Sequence, residues 1–127
     1  MANFDRAFHQ RCNRKVCHYI NSNKTLPITN KKFIKCFDAV PYKKRARFGR
    51  FYSDSTAYII HKGEKRLIAI EVVNSNYPSK EKMANYKKKN IPVCVINVSC
   101  LAGKTEEYID DVFSDFLRCG TVKWFNI

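Results

Sequence analysis

The segment Arg66–Asn76, RLIAIEVVNSN, constrains the fold most because it places a carboxylate inside an apolar strand. Residues Leu67–Val73 are apolar apart from Glu71, and a short run of this composition is typical of a buried strand. Burying a carboxylate costs free energy unless a cation or hydrogen-bond donors compensate it. Two explanations remain open: Glu71 pairs with a lysine, such as Lys65 or one from the following helix, or it belongs to a functional site.

The residues around this strand predict a β-hairpin over TAYIIHKGEKRLIAIEVV. If Gly63 and Glu64 form a type II′ turn, which favours glycine first, paired residue numbers sum to 127. Asp54 then faces Val73 and is a diagonal neighbour of Glu71 on one face, with Cα atoms about 7–8 Å apart. Two carboxylates this close can hold one divalent cation, and oxygen ligands suit Mg2+ or Mn2+.

The remaining pattern predicts a single α/β domain over residues 1–127, with a mixed central sheet flanked by helices in the order ααββαβαβ. An apolar stripe predicts a first helix from Phe4 to about Tyr19, and a second is expected to start near Thr29 or Asn30 and to stop before Pro41. Two later helices are predicted to begin after N-cap residues Ser79 and Thr105. IPVCVINV predicts a central parallel strand, and TVKWFNI predicts a final strand. The edge of this final strand could pair with another chain, so a homodimer or larger assembly is an open alternative.

Charge is distributed unevenly along the chain. Residues 1–50 hold 13 Lys and Arg against two acids, a net charge of +11, whereas residues 51–127 hold 11 against nine, a net charge of +2. This asymmetry favours a polyanionic partner, and we expect the first part to be a basic, helical, nucleic-acid-contacting portion. The alternation of cations with aromatic residues in PYKKRARFGRF suits phosphates and stacked bases, although a solvated connector would have the same composition.

The composition argues against a membrane protein or a secreted one. No run of eighteen apolar residues is present, and the first residues lack the apolar core of a signal peptide. We therefore expect six reduced cysteines and a cytosol-like or nucleus-like compartment of a host cell, or a virion. Abundant Lys, Asn and Ile are compatible with an AT-rich genome such as that of a virus or phage.

A zinc site is the weaker interpretation of HQRCNRKVCH. On a helix, His9 and Cys12 share a side, but Cys17 and His18 point elsewhere. Core thiols and surface histidines are the better prediction.

The order of Asp54, hairpin, apolar strand ending IEVV, polar NSN, helix and IPVCVINV resembles the PD-(D/E)XK nuclease superfamily. It is closest to small branches similar to the competence-associated CoiA-like proteins, over about residues 51–98. The resemblance implies a restriction-endonuclease-like fold, with residues 51–127 as the sheet core, and hydrolysis of DNA phosphodiester bonds assisted by Mg2+ or Mn2+.

The same resemblance implies roles for particular residues. Asp54 and Glu71 match the two metal-binding acids, and the carbonyl of Val72 matches a position that often completes the metal shell. The lysine usual two positions after the glutamate is replaced by Val73. In some branches a lysine of the next helix takes its place, and our candidate here is Lys82. The family's proline and histidine positions hold Ser53 and Asn76.

The sequence therefore predicts a DNA endonuclease with catalytic residues Asp54, Glu71 and Lys82. The predicted nucleic-acid contacts are Lys43, Lys44, Arg45, Arg47, Arg50, Lys80 and Lys87. The alternative is an inactive nuclease fold that serves as a basic nucleic-acid-binding or assembly protein. A basic surface with aromatic residues does not distinguish DNA from RNA.

Overall fold

The computed structural model of the protein describes residues 2–29, 31–41, 47–119 and 121–127, with side chains from residue 6 onward. In these ranges the chain forms three α-helices and a curled, mixed six-stranded sheet, with a separate two-stranded hairpin. The helices are α1 (Ala2–Asn23), α2 (Lys80–Lys88) and α3 (Glu106–Leu117). The strands are β1 (Thr25–Pro27), β2 (Phe33–Pro41), β3 (Arg47–Phe48), β4 (Phe51–Tyr52), β5 (Ser55–His61), β6 (Glu64–Val73), β7 (Val93–Asn97) and β8 (Val122–Phe125).

The large sheet has the strand order β1-β2-β5-β6-β7-β8. Strand β6 lies inside it, antiparallel to β5 and parallel to β7, and helix α2 connects the two parallel strands. The predicted central parallel strand is thus confirmed, as is a mixed sheet flanked by helices. Nine apolar residues of β6 and β7 are buried because both faces of this part are covered: Ile68, Ala69, Ile70, Val72, Val73, Val93, Cys94, Val95 and Ile96.

The sheet curls until its two edge strands meet. The indole Nε1 of Trp124 on β8 donates a hydrogen bond of 2.8 Å to the carbonyl of Pro27 on β1. Helices α1 and α3 pack on one face, where residues such as Val16, Ile70 and Ile109 form the larger core cluster. Helix α2 and the β3–β4 hairpin cover part of the other face, in a smaller cluster that includes Phe48, Tyr86 and Val95.

The helix predicted between Thr29 and Pro41 is wrong, because this segment forms strand β2. Ile34 and Cys36 are buried while Lys35 between them is exposed, which is the two-residue period of a strand. A bulge between Phe37 and Val40 shifts the register and hides that period in the sequence. The predicted order ααββαβαβ is wrong for the same reason, and within the described part of residues 1–50 the helix is confined to α1.

The hairpin turn also differs from the prediction. Paired residues of β5 and β6 sum to 125, as in Ser55↔Ile70 and His61↔Glu64, so Lys62 and Gly63 form the turn. Both have positive φ, 52° and 79°, as a type I′ turn requires. A lysine rarely adopts this conformation, which is why glycine was expected to come first.

The other predicted helices are confirmed by their caps. The Ser79 hydroxyl accepts from the Lys82 amide, and the Thr105 hydroxyl accepts from the Tyr108 amide. Asn90, with φ 56°, follows the end of α2.

All six cysteines are free thiols. Among the described residues, no helix is long and apolar enough to cross a membrane.

Candidate functional site around Asp54 and Glu71

Asp54 lies at the corner that leads into β5, beside the end of β6. Its amide donates to the Ile70 carbonyl over 3.1 Å, and its carboxylate Oδ2 accepts from the Val72 amide over 2.8 Å. Asp54 precedes the first residue pair of the two strands, Ser55↔Ile70, so strand pairing does not place it opposite a residue of β6. Asp54 and Glu71 are nevertheless neighbours, because the charge of Asp54 raises the pKa of the Glu71 carboxyl, although the corrected turn removes the diagonal pairing predicted.

A buried polar network from helix α1 holds this corner in place. The Asn13 side chain donates to the Asp54 carbonyl over 2.8 Å and accepts from the Ser55 hydroxyl over 2.5 Å. Ser55 in turn accepts from the Cys17 thiol over 3.1 Å. Asn13 and Ser55 are both buried, and such satisfied networks fix a backbone in one arrangement.

Glu71 is buried and receives hydrogen bonds from two residues of helix α2. Lys82 Nζ lies 2.9 Å from its Oε1, and the Tyr86 hydroxyl donates to its Oε2 over 2.7 Å. Lys82 and Tyr86 are four residues apart, so one helical face presents both groups to the carboxylate. The side chains of Glu71 and Lys82 are 5% and 18% exposed, which makes this ion pair largely buried.

The pKa of the Glu71 carboxyl is raised above its ordinary value of 4.5. Burial is the largest cause, and the negative charge of Asp54 adds to it, while Lys82 and Tyr86 oppose the shift. Two neighbouring carboxylates therefore raise the free energy of the ionised site, which a cation placed between them would lower.

His9 reaches the same point from helix α1. Its Nε2–H donates to the Val72 carbonyl over 2.7 Å and lies 3.1 Å from Asp54 Oδ2. The hydrogen bond to Asp54 is the main cause that raises the pKa of His9 above 6.5, and the charges of Asp54 and Glu71 act in the same direction. When it is protonated, this imidazole neutralises part of the negative charge at the site.

The donor atoms suit a hard divalent cation in their chemistry. Asp54 Oδ2 and the Val72 carbonyl converge on one point, because both lie within 3.1 Å of the same His9 nitrogen. Glu71 is turned towards Lys82 and Tyr86 instead. In the described ranges no three His, Cys, Asp or Glu side chains are arranged to hold an ion together. A cation bound by all three predicted ligands would require Glu71 to turn and His9 to coordinate or move.

The structure thus brings the three predicted catalytic residues, Asp54, Glu71 and Lys82, to the end of one strand. The predicted contacts Lys43, Lys44 and Arg45 lie outside the described residues. Arg47 and Arg50 are exposed on the β3–β4 hairpin, where Arg50 pairs with Glu81 of α2. Lys80 and Lys87 are exposed on α2.

The zinc interpretation gains no support in the described residues. Cys12 and Cys17 are core thiols on α1, and burial raises the pKa of Cys12 to about 11. His18 is exposed, as predicted for a surface histidine. His9 is the exception, because it turns towards Asp54.

Sequence reasoning missed His9, Asn13 and Tyr86 as parts of the site. Tyr86 could have been found, since it follows Lys82 by four residues on a predicted helix. His9 and Asn13 are more than forty residues from Asp54 in sequence, and no local pattern indicates which strand helix α1 crosses.

Comparison of the chain with protein-family models, with curated proteins and with solved structures finds no match. The candidate site therefore has to be interpreted from its own chemistry.

Proposed function

We propose that the protein is a divalent-metal-dependent endonuclease that hydrolyses DNA phosphodiester bonds. The observation that supports this function is the meeting of Asp54, Glu71 and Lys82 at the carboxyl-terminal end of β6, where Glu71 is buried and the side chains of Asp54 and Lys82 are partly exposed. A lysine from helix α2 takes the role that Val73 cannot fill, as in the branches of the PD-(D/E)XK superfamily that the sequence resembles.

The metal would be held by Asp54, Glu71 and the Val72 carbonyl. When bound, Mg2+ or Mn2+ supplies a water of lowered pKa and stabilises negative charge on the phosphate. Lys82 holds its ammonium group at the same carboxylate, where it can bind a non-bridging phosphate oxygen. Asn13 acts as a positioning residue, because it fixes the backbone of Asp54.

The net charge of +13 supports a polyanionic substrate. Arg47, Lys80 and Lys87 are exposed cations on the elements that flank the site, and they would bind the sugar–phosphate backbone without reading sequence. Lys43, Lys44, Arg45 and Arg50 are proposed to act in the same way. We also propose that the protein acts in the cytosol or nucleus of a host cell or in a virion, and that it forms a homodimer or larger assembly.

A second candidate is a DNA-binding protein on the same fold without catalysis. The observation that favours it is that both oxygens of Glu71 already accept hydrogen bonds, from Lys82 and Tyr86. Such a pair is a satisfied buried ion pair that needs no metal.

The test is incubation of purified protein with linear, supercoiled, single-stranded and branched DNA in Mg2+ or Mn2+. The proposal predicts cleavage that disappears in EDTA and in Glu71→Gln, and that persists in the exposed control Glu107→Gln. Intact DNA that is nevertheless bound would favour the second candidate, and cleavage by Glu71→Gln at the wild-type rate would exclude this site.

A further inference from the structure

The sheet face that carries Glu71 continues past helix α2 as a surface of rings and lysines. On β6, Lys65 and Leu67 share this face with Glu71, because residues two apart point to the same side. Across the sheet, Tyr58 lies opposite Leu67, and Phe37 of β2 lies opposite Tyr58. We define the basic–aromatic face as Lys35, Phe37, Tyr58 and Lys65.

The two rings of this face are stacked and are flanked by ammonium groups. The ring centroids of Phe37 and Tyr58 are 6.1 Å apart with an angle of 26° between their planes. Lys65 Nζ lies 4.5 Å from the Tyr58 centroid and 5.5 Å from that of Phe37, and Lys35 Nζ lies 5.9 Å from Phe37. Both rings are partly exposed and both lysines are exposed.

We propose that the basic–aromatic face binds an unpaired strand of DNA and leads it to the site at Glu71. Proteins commonly bind single-stranded nucleic acids through aromatic side chains interspersed with cations, because a base can stack on a ring and a phosphate can pair with a cation. A base that stacks on Tyr58 takes the place of the Lys65 ammonium, which is then free to contact the adjacent phosphate. Duplex DNA keeps its bases stacked inside the helix, so it cannot use the rings.

The rings and Glu71 are close enough for one DNA strand to span both, and it would pass over α2 because Ala69 between Leu67 and Glu71 is buried. Tyr58 lies opposite Leu67, four residues before Glu71, which is about 13 Å at about 3.3 Å per residue. That span corresponds to about four stacked nucleotides at about 3.4 Å each. The direction of the strand rests on the proposed function, whereas binding by the rings does not.

An equivalent contact elsewhere provides a matched control. Tyr108 on α3 is 47% exposed and has Lys104 Nζ 5.7 Å from its ring centroid. Helix α3 packs on the opposite face of the sheet, and Tyr108 has no stacked ring beside it among the described residues. The pair Tyr108–Lys104 thus has the same chemistry without a position next to Glu71.

The experiment measures binding of a fluorescein-labelled 15-nucleotide DNA, of its duplex and of RNA of the same sequence in EDTA, by fluorescence anisotropy at one fixed salt concentration. The proteins compared are wild type, Phe37→Leu/Tyr58→Leu, Lys35→Gln/Lys65→Gln and Tyr108→Leu, each checked for cooperative unfolding. A second DNA that carries 2-aminopurine reports stacking directly through quenching.

We expect the ring variant to weaken single-strand binding at least about fivefold while duplex binding changes less than twofold. Tyr108→Leu should bind as wild type, and the lysine variant, which keeps both rings, should weaken both DNAs. If the ring variant does not fold, 2-aminopurine quenching by wild type decides in its place. Equal losses for both DNAs, no loss, or tighter binding of RNA of the same sequence would overturn the proposal.

The same assay separates this proposal from the proposed nuclease. Ring-dependent binding without cleavage in Mg2+ or Mn2+ would support DNA binding by the basic–aromatic face and contradict the proposed nuclease activity. If the ring variant cleaves DNA and binds single strands as wild type does, the nuclease activity is supported and DNA binding by the basic–aromatic face is contradicted.

Discussion

At the scale of single residues, Glu71 is the group whose place in the fold most needs a functional reason. The chain buries an ionisable carboxyl next to Asp54 and then surrounds it with Lys82 and Tyr86. Local stability would be served as well by an apolar residue at this point of the strand. Active sites commonly keep such costly groups, and stability is lost in exchange for function.

Glu71→Gln should therefore raise the stability of the protein at alkaline pH more than at acidic pH. Because the pKa of Glu71 is raised in the folded state, folding loses free energy as the pH rises from the unfolded-state pKa through the folded one. The gain of the variant over wild type in urea unfolding should thus be larger at pH 8 than at pH 4. Glu107→Gln, at an exposed position, should show no such difference, and a gain confined to pH 4 would contradict the argument.

The residues of the site differ in how far the sequence reveals them. Glu71 stands out because a charge interrupts an apolar run, and Asp54 is predicted from its place just before the hairpin that contains Glu71. His9 and Asn13 come from a helix whose crossing over the sheet depends on packing of the whole core. Their contribution is set by tertiary structure, which local patterns do not encode.

At the scale of elements, the predictions succeeded where caps mark the ends and failed where a bulge breaks the period. Ser79 and Thr105 predicted the starts of α2 and α3 correctly. The segment that forms β2 was predicted as a helix, because the bulge near Asp38, with φ 54°, interrupts its alternation. The type I′ turn was misplaced by one residue, since Lys62 carries a positive φ.

Gly49 lies at the turn of the small β3–β4 hairpin, at the point where the hairpin contacts Asn85 of α2. Gly49 has φ +64°, and a Cβ there would lie 2.8 Å from Asn85 Oδ1, while the Asn85 amide donates to the Phe48 carbonyl. Gly49→Ala should destabilise the protein by more than the ~1–2 kcal/mol expected for the left-handed conformation alone.

Gly63→Ala is the matched control for this prediction, because Gly63 has φ +79° with no atom within 4 Å of an added Cβ. Both variants are compared by urea unfolding. Equal losses of stability at the two positions would mean that the contact with Asn85 does not hold the hairpin.

At the scale of the whole molecule, the curled sheet depends on contact between its first and last strands. Strand β1 has three residues and pairs only with β2 in the sheet, so the bond from Trp124 ties it to the opposite edge. This bond joins residues 97 apart in sequence, which no local pattern could predict.

Trp124→Phe keeps an aromatic ring and removes the donor to Pro27. We expect a loss of about 1–3 kcal/mol in unfolding free energy, since a partly buried carbonyl then lacks its donor. Hydrogen exchange should become faster in β1 and β8 and stay unchanged in β6. Uniform acceleration throughout the sheet, or none, would show that the edges are not closed by this contact.

In the proposed nuclease, Lys82 of α2 serves catalysis and does not merely neutralise Glu71. The most direct test is the single-turnover cleavage rate and the DNA affinity of Lys82→Met, beside Lys88→Met as an exposed lysine of the same helix. We expect a rate at least about 100-fold lower for Lys82→Met, with affinity within about twofold of wild type, and no change for Lys88→Met. Wild-type cleavage by folded Lys82→Met, or a loss of affinity that accounts for the whole effect, would contradict it.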